Sequence, residues 1–577
     1  MLYGVVQCVI IVEGVKIMFI KLTTSKKSKF TKVYLVEGYR DENGKSKQRT
    51  IKKYGNLEEL ELEDSNILDK LKLEAKNMKK NEVIITHNLL KPNAEQETDK
   101  NYGYFFLDNI YKELAITNFI EGYNFEANFK YDIDEILRLL TFSRILSPMS
   151  KKATVENQDM YFEEFNVDLK SVYKSLSNFS DMKIDLQNHL NERVSTAYGR
   201  DASLVFYDVT NYYFETEVED DLKKKGLSKE KKSTPIVQMG LLIDSNGLPI
   251  AYDLFPGNTH DSSTLIPFIE NMRKQYNFGK VILTADKGLN SGKNLAYLKS
   301  KNDGYIVSQK IRGMSKLFIN EVLSEEDYVC NTKGTFKIKS FLRERETKDE
   351  NGNKVTLKEK VVCFWSKDFD DREKHKREKL EERISAYLES PSKYKTSNSY
   401  GIKKYLKLQT IDKTTGEIED IEPYVEFDEE KYNRDVSLDG YYTIVTSELD
   451  LSNEDVIKKY RGLWKIEESF RVLKTDLEGR PVYVKTPDHV EGHFLVCFIA
   501  LLISRILELK LDNKYSIRKI QKSLASATCR KIGNGLYSLK KQDDTFRSIE
   551  KVFKVSMNYS NVRIEQLRSW KKRSRTT

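Results

Sequence analysis

LVFYDVT, residues Leu204 to Thr210, is a run of apolar and aromatic residues with one acid inside it, Asp208. Its length and its β-branched and aromatic content predict a buried strand. Next along the chain, PIVQMGLLIDSNGLPIAYDLF (Pro235–Phe255) reads as two strands around a Ser-Asn-Gly turn. A helix is expected from about Ser262 to Tyr276, then the strand VILTAD (Val281–Asp286), a second helix, and a short strand from Gly304 to Ser308. The order β-β-β-α-β-α-β predicts a mixed α/β sheet. Asp208 and Asp286 are expected at the C-terminal ends of their strands, where open α/β sheets place ligand-binding groups. A carboxylate there must be satisfied by a metal, a cation or hydrogen bonds.

Upstream, residues 57–200 read mainly as helices, among them DEILRLLTFSRILSP from Asp134, which stops before Pro148, and two more between Asp168 and Tyr198. Between Lys21 and Asn56 stand eleven Lys or Arg against three acids. There TKVYLVEGYRDENGKSKQRTIKKYG reads as a hairpin around Asn43-Gly44, a basic ribbon whose Arg40, Lys45, Lys47 and Arg49 are candidates for phosphate contact. SWKKRSRTT at the other end is a second basic patch, expected to be a solvated tail. Downstream of the core, residues 310–438 are polar and strand-rich and read as an insertion. DGYYTIVTS (Asp439–Ser447) returns to strand, and a long helix starts at Ser452 with Asp455 as its capping-box partner. The expected division is a hairpin and linker helix (1–80), a helical domain (81–200), the core in two parts (201–309 and 439–510) around the insertion, and a helical C-terminal region with the basic tail (511–577).

The 577 residues suffice for three or four domains, and 97 Lys+Arg against 88 Asp+Glu leave a net charge of +9. Apolar runs of about ten residues, Val5–Val12 and Phe494–Ile503, fall short of a bilayer span. No secretory signal is expected, and Met18 is a plausible start because the charged, orderly sequence begins there. The five cysteines (Cys8, Cys330, Cys363, Cys497, Cys529) form no CxxC pair. That fits a reduced, cytoplasmic compartment and argues against a zinc cage. His489 and His493 stand four apart on an expected helix, but Glu491 does not directly follow the first His as a zinc-protease helix requires. The loop Glu215–Lys232 carries five acids and then six lysines, with Glu230 among them, and reads as a solvated connection, contact of the lysines with flanking DNA being the alternative.

A third acid lies in YRGLWKIEESFRVLK (Tyr460–Lys474). Tyr460, Glu467 and Lys474 are seven apart, close to two helical turns, so a continuous helix would carry all three on one face with Val456, Leu463, Trp464 and Phe470. Glu467 is then an acid on a mostly apolar stripe, and Glu468 a solvated neighbour. Trp464 is expected to pack in the core, with stacking on a displaced base as the alternative.

DVTNYYFE after Asp208, TADKG around Asp286 and the Tyr-x6-Glu-x6-Lys helix together resemble the DDE transposases of bacterial insertion sequences. The branch resembled is the one with a Tyr-Arg-Glu-Lys signature, the insertion-sequence-four type. LFPGNTHDSSTL from Leu254 and the apolar helix after HVEGHF from His489 are similar to it too, so the likeness runs roughly from Ser203 to Leu509. One position departs: the signature's Arg belongs where this chain has Leu463, and Arg461 points about 200° away.

The resemblance implies an RNase H-like catalytic domain, interrupted by the β-rich insertion and flanked by the basic N-terminal and helical C-terminal regions. It implies Asp208, Asp286 and Glu467 as catalytic metal ligands and Tyr460 and Lys474 as phosphate contacts near the cut, with Arg461 and Trp464 as further candidate DNA contacts. Hard oxygen ligands suit Mg²⁺ or Mn²⁺, and a pair of ions serves in-line phosphoryl displacement. The implied partners are double-stranded DNA (terminal inverted repeats and target) and a second copy of the chain in a synaptic complex, in a bacterial cytoplasm.

Overall fold

The computed structural model describes residues 17–24, 30–40, 46–64, 66–77, 98–127, 129–163, 165–275, 279–389, 401–409, 424–533 and 535–573. The chain forms two compact units, one of residues 1–197 with 472–577, the other of residues 198–471. The expected second part of the core, 439–510, is therefore divided at Arg471.

The first unit opens with an antiparallel sheet, β1 (Ile17–Thr24), β2 (Thr31–Arg40) and β3 (Ser46–Asn56), in the order β1-β2-β3. The expected basic hairpin is β2–β3, and β1 adds a third strand that contains Met18. The Asn43-Gly44 turn and Lys45 lie outside the described residues, as does the end of the basic tail. Val33, Leu35 and Val36 are buried on this sheet, beside helices α1 (Leu57–Glu63) and α2 (Ile67–Asn77). A short strand, β4 (Lys100–Asn101), precedes six helices: α3 (Tyr104–Glu113), α4 (Ile116–Ala127), α5 (Ile133–Leu146), α6 (Lys151–Glu156), α7 (Leu169–Asp181) and α8 (Lys183–Tyr198).

Their core is built on one later helix, Pro487–Lys510, which packs against α3, α5 and α7. By length and composition it could cross a membrane, yet nearly all of its apolar window is buried inside the unit. The apolar runs read from sequence understated it, because polar His489, Glu491 and Arg505 interrupt them. Gly492 lets it approach α7: a Cβ there would stand 2.2 Å from the Leu176 carbonyl oxygen.

The second unit is built on β5 (Leu204–Tyr213), β6 (Ile236–Asp244), β7 (Pro249–Pro256), β8 (Ile282–Ala285) and β9 (Gly304–Gln309). Helices α9 (Asp261–Gln275) and α10 (Gly292–Ser300) connect β7 to β8 and β8 to β9. β5–β6–β7 is antiparallel, while β5–β8 and β8–β9 are parallel, giving the order β7-β6-β5-β8-β9 of the expected RNase H-like core.

The insertion is less separate than its composition suggests. After α11 (Lys316–Leu323), strands β10 (Val329–Cys330), β11 (Phe336–Lys348) and β12 (Lys354–Ser366) extend the same sheet, joined to β9 through β15 (Tyr441–Thr446). Among the described residues, α12 (Lys367–Glu389), α13 (Glu429–Val436) and the two-stranded β13 (Leu406–Gln409) and β14 (Tyr424–Phe427) gather around a small core of their own, Ile384, Ile402, Tyr405 and Tyr432.

Strand alternation divides the core between the sheet's two faces. Val205, Tyr207 and Val209 of β5 join Leu265, Phe268 and Ile269 of α9 and Leu295 and Leu298 of α10. On the other face Ile306, Val362 and Ile444 pack with Val456 and Ile457 of α14 (Asn453–Arg461), which begins at the expected Ser452–Asp455 capping box.

The long helix expected beyond Ser452 is broken. α14 ends at Arg461, and α15 (Trp464–Arg471) starts after a tight turn at Gly462 and Leu463. A Cβ on Gly462 would lie 2.3 Å from Phe206 Cζ, a ring that is 1% exposed in β5. Gly462 keeps a right-handed φ of −59°, so its role is close approach and not backbone freedom. Gly462→Ala is expected to cost about 1–3 kcal/mol by overpacking, read as a lower melting temperature, with Phe206→Leu on top of it recovering part of the loss.

Candidate active site

Register brings the first two acids together. β5 and β8 pair in parallel as Leu204↔Ile282, Val205↔Leu283 and Phe206↔Thr284. Two residues further on, the same alignment sets Asp208 opposite Asp286, on neighbouring strands spaced about 4.8 Å apart. Alternation puts Asp208 on the face of Phe206, the face that α14 and α15 cover. β9 continues the row, because Ala285↔Val307 sets Ser308 beside Asp286. The Ser308 hydroxyl donates to Asp286 Oδ1 at 3.0 Å, and the Tyr460 hydroxyl of α14 reaches the same oxygen at 3.4 Å.

Asp208 is half-buried in mid-strand, since β5 runs on to Tyr213, and Asp286 is an exposed residue just past β8. The sequence reading ended the first strand at Thr210, close after its acid, and the second at Asp286; β5 continues because β6 still pairs with it through Tyr213↔Ile236. Burial pushes the Asp208 carboxyl up to about 6; Lys229 opposes the rise, and the charges of Asp286 and Asp261 add to it. Two like-charged carboxylates in such a position favour a cation between them.

The third acid is placed by α15. α14 packs on β15, β9 and β8 and α15 on β5 and β6, so the helix pair crosses the strands. Leu463, Ile466, Ser469 and Phe470 are buried beneath it. Lys465 donates to the Ser245 carbonyl, next to the start of β5, because Asp244 pairs with Val205. Two helical residues turn through about 200°, so Glu467 projects from the opposite flank, and it is exposed. Glu468 is half-buried and faces Arg471 at 3.6 Å. Among the described residues no three His, Cys, Asp or Glu side chains stand close enough together to hold a metal ion. Register thus sets Asp208 and Asp286 on neighbouring strands, while the three acids together form no group close enough to hold an ion.

The single stripe through Tyr460, Glu467 and Lys474 is not formed, because the helix breaks at Gly462. Trp464 is 57% exposed rather than packed in the core. Tyr460 is half-buried, with its hydroxyl 2.9 Å from that of Tyr442, and burial raises its pKa. Arg461 is exposed at the end of α14. Lys474 lies in the other compact unit, half-buried in a π-helical turn, Val472–Asp476. On the N-terminal sheet Lys47 and Arg49 are exposed, and the Arg49 guanidinium is held by buried Glu37 at 2.5 Å. His493 is no metal ligand: it is buried between Lys151, 2.6 Å from its Nδ1, and the Gly479 carbonyl.

Ser308 and Asp261 escaped the sequence reading, and Lys229 was read only as one of the lysines of its loop. For Ser308 no signal existed without the register, whereas the Gly226 and Gly257 pair could have flagged a packed loop around Lys229.

Residues 200–503 match the family described as Transposase DDE domain, and residues 20–85 match the N-terminal domain of IS1634 family transposases. Among solved structures, similarity is found to a cryo-EM structure of the piggyBac transposase synaptic complex with hairpin DNA, at 10% identity and TM-score 0.35, over 82% of this chain and 85% of that one. The Mos1 transposase paired-end complex with left transposon end and the Mos1 strand transfer complex each show 15% identity and TM-score 0.14, over 31% of this chain and 58% of theirs. No curated protein matches.

The raised Asp208 pKa has a thermodynamic sign. An unfolded Asp titrates near 3.9, so the folded chain binds this proton more tightly and loses stability as pH rises from about 4 through about 6. Without divalent ions, Asp208→Asn is expected to melt above the wild type at pH 7.5, by up to about 3 kcal/mol, and to lose that advantage by pH 4. Thermal melts across that range check it.

Proposed function

The chain belongs to the DDE transposase family, whose domain spans more than half of it, and we propose that Asp208, Asp286 and Glu467 are the acids with which it cuts and joins DNA. Enzymes of this family depend on a divalent metal and catalyse strand cleavage and strand transfer. The observation that carries the assignment is the parallel register that aligns Asp208 with Asp286. Glu467 is supported by its flank of α15, opposite the one that Lys465 ties to the start of β5, and by Glu468 being occupied with Arg471.

The residues fit hard divalent cations: two adjacent carboxylates, one with its charge made costly by burial, and a third acid exposed on the neighbouring helix. Mg²⁺ or Mn²⁺, two ions in our reading, supplies activation of the attacking oxygen and stabilisation of the leaving 3′ oxygen. Ser308 and Tyr460 both reach Asp286 Oδ1, which ties this carboxylate to β9 and α14. Tyr460, Arg461, Trp464 and Lys474 are assigned to DNA near the cut; the exposed indole of Trp464 suits stacking on a displaced base. Arg40, Lys45, Lys47 and Arg49 are assigned to the phosphates of the terminal inverted repeats.

The reaction begins with water attacking at the element's end to free a 3′-OH, which then attacks target DNA. Two ends must be held at once, so a homodimer in a synaptic complex is the assembly proposed. The domain assignment is likewise a proposal: residues 1–80 for end binding, the sheet of 201–309 and 439–471 for chemistry, and 310–438 as the insertion.

Incubation of the purified protein with Mg²⁺ and labelled DNA carrying the element's own ends is expected to give cleaved ends and strand-transfer products. Asp208→Asn, Asp286→Asn and Glu467→Gln are each expected to abolish both products while leaving end binding intact, and Glu468→Gln to retain them. Cleavage surviving in any of the first three removes that residue from the set.

A further inference from the structure

The lysine-rich loop after β5 is not the solvated connection its composition suggests. Lys224 and Ile236 exchange both main-chain hydrogen bonds, at 3.2 and 2.9 Å, and the Gly257 amide donates to the Leu222 carbonyl at 3.2 Å. At the crossing of this loop with the one after β7, both residues are glycine. A Cβ on Gly226 would lie 2.1 Å from the Gly257 carbonyl oxygen, and one on Gly257 would lie 2.4 Å from that of Lys224. Asn211 of β5 donates to the Leu227 carbonyl at 3.1 Å. So anchored, the loop carries Lys229 back to β5, where its ammonium donates to the Val209 carbonyl at 2.6 Å, one residue from Asp208.

Between the two loops lies a cleft of about 760 Å³, with Lys229 on one wall, His260 and Asp261 on the other, and Lys310 beyond the end of β9. Lys310 also borders a second cleft of about 290 Å³ that contains Lys287 and Ser308. Among the described residues the Lys310 and Lys287 ammonium groups have no hydrogen-bond or ion-pair partner. The first cleft also has buried amide groups in its wall, Asn211 and Gln238, 2% and 6% exposed, whose side-chain carbonyl oxygens lack a partner. Three lysines, two of them without an acidic partner, set in grooves beside carboxylates suit a polyanion that passes those carboxylates.

We propose that this cleft holds the DNA strand next to the bond being cut, with Lys229 and Lys310 clamping consecutive phosphodiesters on the Asp208 side of the site. The proposal rests on the assignment of Asp208 and Asp286 given above. Lys229 serves in two states. Its charge faces Asp208 in the free protein, and its exposed stem lets the ammonium turn to a phosphate oxygen when DNA lies in the cleft. Asp261 keeps the far wall from being uniformly cationic, which confines the phosphate track to the lysine side.

The test uses the full chain and duplexes carrying the element's end, each with one neutral methylphosphonate at a successive phosphate around the cut. Lys229→Met and Lys310→Met, which keep most of the stem, are each expected to slow cleavage about tenfold or more and to lower the slope of log binding constant against log salt by about one. Lys229→Arg is expected to recover most of the rate. One methylphosphonate position should slow the wild type yet leave Lys229→Met no slower than it is on native DNA. Undiminished cleavage by Lys229→Met and Lys310→Met, an unchanged salt slope, or additive losses at every methylphosphonate position would overturn the clamp. Binding is read without turnover, so a wild type that binds but never cuts with Mg²⁺ or Mn²⁺ denies the carboxylate assignment, while the salt slope still decides the lysines.

Discussion

Two carboxylates aligned across a parallel strand pair are the constraint on which this structure turns. Their separation follows from backbone hydrogen bonding between β5 and β8, so no side-chain rearrangement can relieve the repulsion fully. The protein accepts that cost in the first strand of its core, where burial already raises the Asp208 pKa. An arrangement that destabilises the free protein and is relieved by cations is poorly suited to a structural role and well suited to metal-dependent chemistry. Neighbouring groups are disposed around the same fact. Ser308 and Tyr460 give Asp286 donors, Lys229 offers Asp208 a positive charge, and the apolar helices α9 and α10 are confined to the face turned away from the acids.

The helical lid illustrates how packing sets the position of chemical groups. α14 lies on β15, β9 and β8, and continuation of one straight helix would carry it onward with a single unbroken stripe. Phe206 instead fills the space beneath residue 462, and only glycine permits the chain to pass so close. The turn that results keeps Leu463 and Ile466 buried, sends Trp464 to solvent and leaves Glu467 on a flank. One glycine and one phenylalanine thus determine which residues of Tyr460–Arg471 are available to a ligand.

Much of this was legible before any coordinates. The order of strands and helices from Leu204 to Ser308 follows from the switch between apolar runs and helical spacing, and the acids stood out because they interrupt apolar strands. The capping box at Ser452 and the stop before Pro148 were local signals, and local signals survive folding. Register did not show, because pairing depends on which strands meet and not on either strand alone. For the same reason β11 and β12 read as an insertion, although they extend the central sheet. The break at Gly462 was hidden by an intact seven-residue spacing, and the folded loop around Lys229 by a composition that usually means solvent.

The division of labour among the three acids has a physical logic of its own. A third carboxylate in the row of Asp208 and Asp286 would add a further like charge at a place where burial already makes ionisation costly, and each such charge must be compensated before the chain can fold. Glu467 stands instead on an exposed helix flank, where water screens its charge. Stability is then compromised by one pair rather than by a trio, while the acid proposed as third ligand stays open to solvent. In the proposed set, the sheet supplies acids whose spacing is fixed by backbone geometry, and the helix supplies one that is open to water. A site of the kind proposed is more easily folded without cations in that form than as three acids already converged.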